Sequence, residues 1–147
     1  GDSVNFSAKG EGNAVLIKSG YPYFDALSPE STLNILQANN PDRQGQPRPV
    51  QKLCSGQTLL CKSLGLKVPD WDNKRFNAER FYVEDCGLLV QEIIQTTRLG
   101  ISKGRDEHLH YRFVDAQYAA YCTKNPLRRG QIEGQDFFRL TAGQRPV

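Results

Sequence analysis

Between Asn40 and Pro49 the chain sets Asn40, Pro41, Gly45, Pro47 and Pro49 so close together that no regular element can run through the stretch. Pro41 fixes φ and removes a backbone donor, and Asp42 can bond the backbone two residues on. Gly45 permits a positive φ, while Pro47 and Pro49 hold the exit extended. Prolines so placed are incompatible with the inside of a sheet, so the stretch is a stiff, projecting loop. It carries Arg43 and Arg48 beside Asp42 and nothing that could act as a nucleophile. A rigid loop loses little entropy on docking, which suits recognition. Asn40, Pro41, Asp42, Arg43, Gly45, Pro47, Arg48 and Pro49 are therefore the candidate partner-binding residues, the alternative being a connection kept rigid for stability.

The flanking patterns are short. Thr32 to Gln37 is β-prone and feeds the loop, and Ala14–Lys18 reads as a buried strand. Val50 to Leu53 and Thr58 to Leu60 are brief apolar pieces. Phe76, Arg80 and Val83 recur at i, i+4, i+7, which predicts a short helix within residues 72–83. The run from Leu88 is rich in β-branched residues and reads as a strand. Leu109, Tyr111 and Phe113 alternate with His108, His110 and Arg112, which predicts a strand with the first three inward and the others outward. Gln117–Thr123 and Asp136–Leu140 complete the set. About seven short strands with Gly/Pro turns and one or two short helices predict a mainly β fold, an immunoglobulin-like or transthyretin-like β-sandwich. Residues 1–12 are polar and expected as a flexible arm, with 13–147 as one sandwich domain. Gly1 is expected to be a remnant of tag cleavage.

At 147 residues the chain can bury a core without metals. A net charge of +3 with scattered cations argues against nucleic acid as a partner. No apolar run reaches the length of a membrane helix, and no signal peptide is visible. The four cysteines, Cys54, Cys61, Cys86 and Cys122, contain no CxxC spacing. Two bridges are expected, hence an oxidising compartment; Cys54–Cys61 with Cys86–Cys122 is the most economical of three possible pairings, and buried free thiols are the alternative. His108 and His110 form an HxH that lacks a third ligand, so neither a metal nor any other cofactor is expected. A thiol nucleophile paired with either histidine would need a free cysteine. No GxSxG, Walker loop or GxGxxG at a strand-to-helix turn is present, and no catalytic residue is assigned.

Three segments resemble the outer-membrane lipoprotein of the type VI secretion membrane complex. They are Asn40-Pro-Asp-Arg-Gln-Gly-Gln-Pro-Arg-Pro-Val50, Phe76-Asn-Ala-Glu-Arg-Phe81 and Asp115-Ala-Gln-Tyr-Ala-Ala-Tyr121. The resemblance implies a non-enzymatic periplasmic scaffold, tethered to the outer membrane by an N-terminal lipid. Its loop at 39–49 would hold the periplasmic domain of an inner-membrane secretion component. A secreted, disulfide-stabilised effector, inhibitor or immunity protein is the alternative, and a thiol- or metal-dependent hydrolase using His108 or His110 a further one.

Overall fold

A computed structural model describes residues 2–143; Gly1 and residues 144–147 lie outside it. Among the described residues the fold is a small α/β arrangement with five strands in two small sheets. This replaces the mainly β sandwich. The chain divides into two compact units, Gly1–Val83 with Tyr121–Thr123, and Glu84–Ala120 with Lys124–Val147.

The first unit begins with β1 (Val4–Ser7), inside the stretch expected as an arm, paired antiparallel with β2 (Ala14–Ile17). Four helices follow: α1 (Thr32–Asn39), α2 (Val50–Leu53), α3 (Gln57–Ser63) and α4 (Val68–Trp71). The strand expected at Thr32–Gln37 is thus a helix. Leu33 and Leu36 lie three apart and pack on the buried cluster Leu53, Cys54 and Leu60, with Ile17 beside them. An eight-residue helix is marginal alone, so this contact decides its conformation. The apolar pieces at Val50–Leu53 and Thr58–Leu60 likewise lie in helices, because helical turns bring Leu53 and Leu60 to the same core. Gly56 separates the two helices at φ +139°, where a Cβ would meet the Thr123 Oγ1 at 2.9 Å, so only glycine fits.

The helix expected within 72–83 does not form. Asn77 and Phe81 instead exchange backbone hydrogen bonds across a tight turn, and the Asn77 Oδ1 accepts from the Glu79 N–H. Ring packing favours this turn: Phe76 and Phe81 pack on each other and on Phe6, and Trp71 meets Phe81 edge-on at 5.3 Å.

The second unit is built on an antiparallel sheet in the order β4 (Arg112–Asp115), β3 (Glu92–Thr96), β5 (Phe137–Thr141). Ile94 at its centre is fully buried. The predicted last strand is present as β5. The predicted alternation around residue 112 has the opposite parity: Arg112 is 8% exposed, while Tyr111 and Phe113 are at least half exposed. Pairing sets this, because Arg112 lies opposite Thr96, which lies opposite Phe137 on the buried face. The guanidinium is satisfied there in part by donating to the Lys124 carbonyl at 3.0 Å. The strand predicted over 117–123 is a 3-10 helix, Ala116–Tyr121, begun by Asp115 accepting from the Gln117 N–H.

Candidate functional site

The loop between α1 and α2 is held by side-chain hydrogen bonds at both ends and at its tip. Its near end is fixed by Asn40, which is 1% exposed. The Asn40 amide donates to the carbonyls of Leu53 and Leu59 and to the Ser63 Oγ, at 3.0–3.2 Å. Ser63 in turn donates to the Leu53 carbonyl at 2.7 Å. Asn40 thus serves as an internal strut rather than a contact residue, with its side-chain N–H groups satisfied within the protein.

The far end is fixed by Arg48. Its Nε donates to the Asn40 carbonyl and its Nη2 to the Pro41 carbonyl, while the Arg48 carbonyl accepts from the Gln37 amide. The tip is closed by Asp42, whose Oδ1 accepts from the Gln44 and Gln46 N–H groups, both at 2.8 Å. Gly45 has φ +78°, as the sequence predicts. Of the two charges expected to meet a partner, Asp42 is half-buried and turned inward to the backbone, whereas Arg43 is exposed. Pro41, Pro47 and Pro49 are exposed and shape the loop. The structure therefore divides the eight candidates into a frame, with Asn40, Asp42, Gly45 and Arg48 at its key points, and an exposed surface at Arg43. Gln37, Asn39 and Ser63 belong to the same frame, since the Asn39 amide donates to the Ser63 carbonyl at 3.1 Å. The adjacent pair Asn39-Asn40 before a proline was the available signal for this anchoring.

Cys54 and Cys61, expected to form a disulfide, are buried thiols in the core. Burial pushes both thiols above their ordinary range, and the hydrogen bond with Ser63 partly opposes this at Cys54. They act here as small apolar residues, whose burial disfavours the thiolate. Cys86 is exposed and Cys122 half-buried.

His108 is exposed in a turn, and His110 is half-buried with its ring edge-on to Phe138 at 5.1 Å. Neither lies on β4. In the same turn the Glu107 carboxylate accepts from the Gly104 and Arg105 N–H groups, which together hold its pKa below the usual glutamate range. Among the described residues no three His, Cys, Asp or Glu side chains are grouped to hold a metal ion. No helix among them is long and apolar enough to cross a membrane.

The profile of the methylpurine-DNA glycosylase family matches residues 2–119. A protein of Pseudomonas fluorescens named as a 3-methyladenine DNA glycosylase is 66% identical over 95% of this chain and 61% of its own length. One of Pseudomonas savastanoi with the same name is 64% identical over 97% of this chain and 64% of its own length. One of Pseudomonas aeruginosa is 60% identical over 95% of this chain and 59% of its own length. The chain thus spans about three-fifths of the length of these relatives. No solved structure matches.

These matches overturn the resemblance to the secretion lipoprotein, which rested on three short segments. With it fall the non-enzymatic scaffold, the effector and hydrolase alternatives, the secretion partner and the periplasmic, outer-membrane location. The relatives are named as enzymes that act on DNA, so excluding nucleic acid from a net charge of +3 was also wrong. A modest overall charge does not preclude local phosphate contacts, which need only a few cations in the right place. On a profile match over residues 2–119 and identities of 60–66%, the chain belongs to the methylpurine-DNA glycosylase family.

Proposed function

We propose that the protein removes methylated purines from DNA by hydrolysing the bond between the base and the sugar, and that its 39–49 loop contacts the nucleic acid. The identity of 60–66% to proteins named as 3-methyladenine DNA glycosylases carries this reading. Methylation at N3 leaves the adenine base cationic. When the bond from N9 to C1′ breaks, its electron pair passes to the base and cancels that charge, so the base departs neutral. Water supplies the hydroxyl that remains on C1′ and releases a proton. Such chemistry demands that the damaged nucleotide be turned out of the stack and held while the backbone on either side is gripped.

The loop suits the gripping role. Its backbone is fixed from both ends by Asn40 and Arg48, so presenting Arg43 to a phosphate orders little that is not already ordered. The exposed Gln44 and Gln46 flank the same tip and can reach phosphate or sugar oxygens. The test is release of free 3-methyladenine, followed by chromatography, when the protein is incubated with alkylated duplex DNA. Release above the spontaneous rate, leaving abasic sites in equal amount, is expected. No release above that rate, from protein that binds the DNA, would overturn the reading.

A further inference from the structure

Residues 120–143 follow the end of the family profile, and most of them lie within the matches to the Pseudomonas relatives. From Lys124 onward they are built into the second unit. β5 pairs with β3 along its whole length, from Glu92 opposite Thr141 to Thr96 opposite Phe137. Phe137 and Leu140 are buried there, and the Thr96 Oγ1 donates to the Asp136 carbonyl at 2.9 Å. Ahead of this strand the chain makes two successive turns. The Arg128 N–H donates to the Asn125 carbonyl, and the Gln131 N–H to the Arg128 carbonyl. The Asn125 Oδ1 accepts from the Leu127 N–H at 2.8 Å, Pro126 is buried, and Arg112 donates to the Lys124 carbonyl. The backbone of residues 125–131 is thus fixed by its own chain.

These turns expose Arg128 and Arg129, with Lys124 exposed just before them. No acid stands between Asp115 and Glu133. The two acids that follow are already engaged: Glu133 pairs with Arg139, and the Asp136 Oδ2 accepts from the Ile132 N–H. Among the described residues neither Arg128 nor Arg129 forms an ion pair. The chain's other adjacent pair of cations, Lys74-Arg75, stands among Asp70, Asp72 and Glu79. Two guanidinium groups on a fixed turn, with no counter-charge, make a local positive potential and offer planar donors to the oxygens of an anion.

We propose that the 125–131 turn is a second contact with DNA, in which Arg128 and Arg129 each hold a backbone phosphate of the duplex. It rests on the reading that the protein acts on DNA, and it adds to that reading an element outside the family profile. Phosphate contacts position a protein without reading bases, so this one grips normal and methylated duplex alike. Because the turn is preformed, binding orders little beyond the two side chains.

Fluorescence anisotropy with an undamaged duplex measures the contact apart from base release, which is followed on the same preparations. Arg128→Ala with Arg129→Ala should raise Kd about tenfold and lower the slope of log affinity against log salt by about 1.8, one phosphate for each arginine. Arg128→Lys with Arg129→Lys should keep most of the affinity and of the slope, since an ammonium also neutralises a phosphate. Melting should be unchanged in both variants, because the side chains are exposed. An alanine pair with unaltered Kd and slope would overturn the proposal and leave the base-release reading standing. Failure of the unaltered protein to bind the duplex would also overturn it. So would an equal loss of binding to polyglutamate, which would point to an acidic polypeptide instead. The expected loss in a protein that releases no methylated base would support the contact and overturn the activity reading alone.

Discussion

Asn40 shows how much one side chain can fix. Its amide has two N–H groups shared among three acceptors, and it lies beside the core of the first unit. Asn40→Ala removes the amide donor from the Leu59 carbonyl, the Ser63 hydroxyl and the Leu53 carbonyl, the last keeping only its bond from Ser63. A loss of about 1–3 kcal/mol in urea unfolding is the expected result, with the loop loosened in hydrogen exchange. The cysteines give a second prediction at this scale. Burial raises the Cys54 and Cys61 thiols, so the folded state favours their protonated form. The corresponding stability is complete below the ordinary thiol range and declines as pH climbs above it. In native protein near neutral pH a thiol reagent should modify Cys86 promptly and reach Cys54 and Cys61 only on unfolding, as mass spectrometry would show. Of these residues only part was legible in the sequence. Four cysteines without metal spacing point to two bridges, with buried thiols the alternative, whereas the choice depends on whether the core needs small apolar side chains where they fall.

The loop and the central strand separate binding from stability at the scale of elements. Arg43→Ala should weaken binding to DNA with little change in melting temperature, because the side chain is exposed. If it meets one phosphate, the slope of log affinity against log salt should fall by about 0.9 in a titration series. Gly45→Val should cost about 1–2 kcal/mol of stability, since φ +78° is strained for a side chain bearing Cβ even though open space surrounds it. Ile94→Ala in β3 should cost about 2–5 kcal/mol in chemical denaturation, as the side chain is fully enclosed. The turn residues of the loop could be read from sequence because proline and glycine act through their own dihedral angles. α1 could not, because Thr32–Gln37 fits either a strand or a helix until Leu33 and Leu36 find the Leu53 cluster.

For the whole protein, the proposed excision of methylated purines should fall steeply as salt rises, if binding to DNA rests on phosphate contacts. Comparing initial rates of base release between low and physiological ionic strength checks this, and a flat profile would count against an electrostatic grip. What the sequence by itself determined were local matters: the stop at Pro41, the positive φ at Gly45, the extended backbone of the strand expected at Ala14–Lys18, which runs over Ala14–Ile17 and is mostly exposed rather than buried, and the last strand near Phe137. Each follows from forces acting within a few residues. Tertiary structure alone decided that Arg112 faces inward and Phe113 outward, since the alternating pattern fixes the period of a strand but not which face is buried. It alone also turned the aromatic segment after Trp71 into a ring-packed hairpin turn rather than a helix. In both places the local signal was compatible with two conformations, and the one adopted is the one whose side chains meet partners distant in the chain.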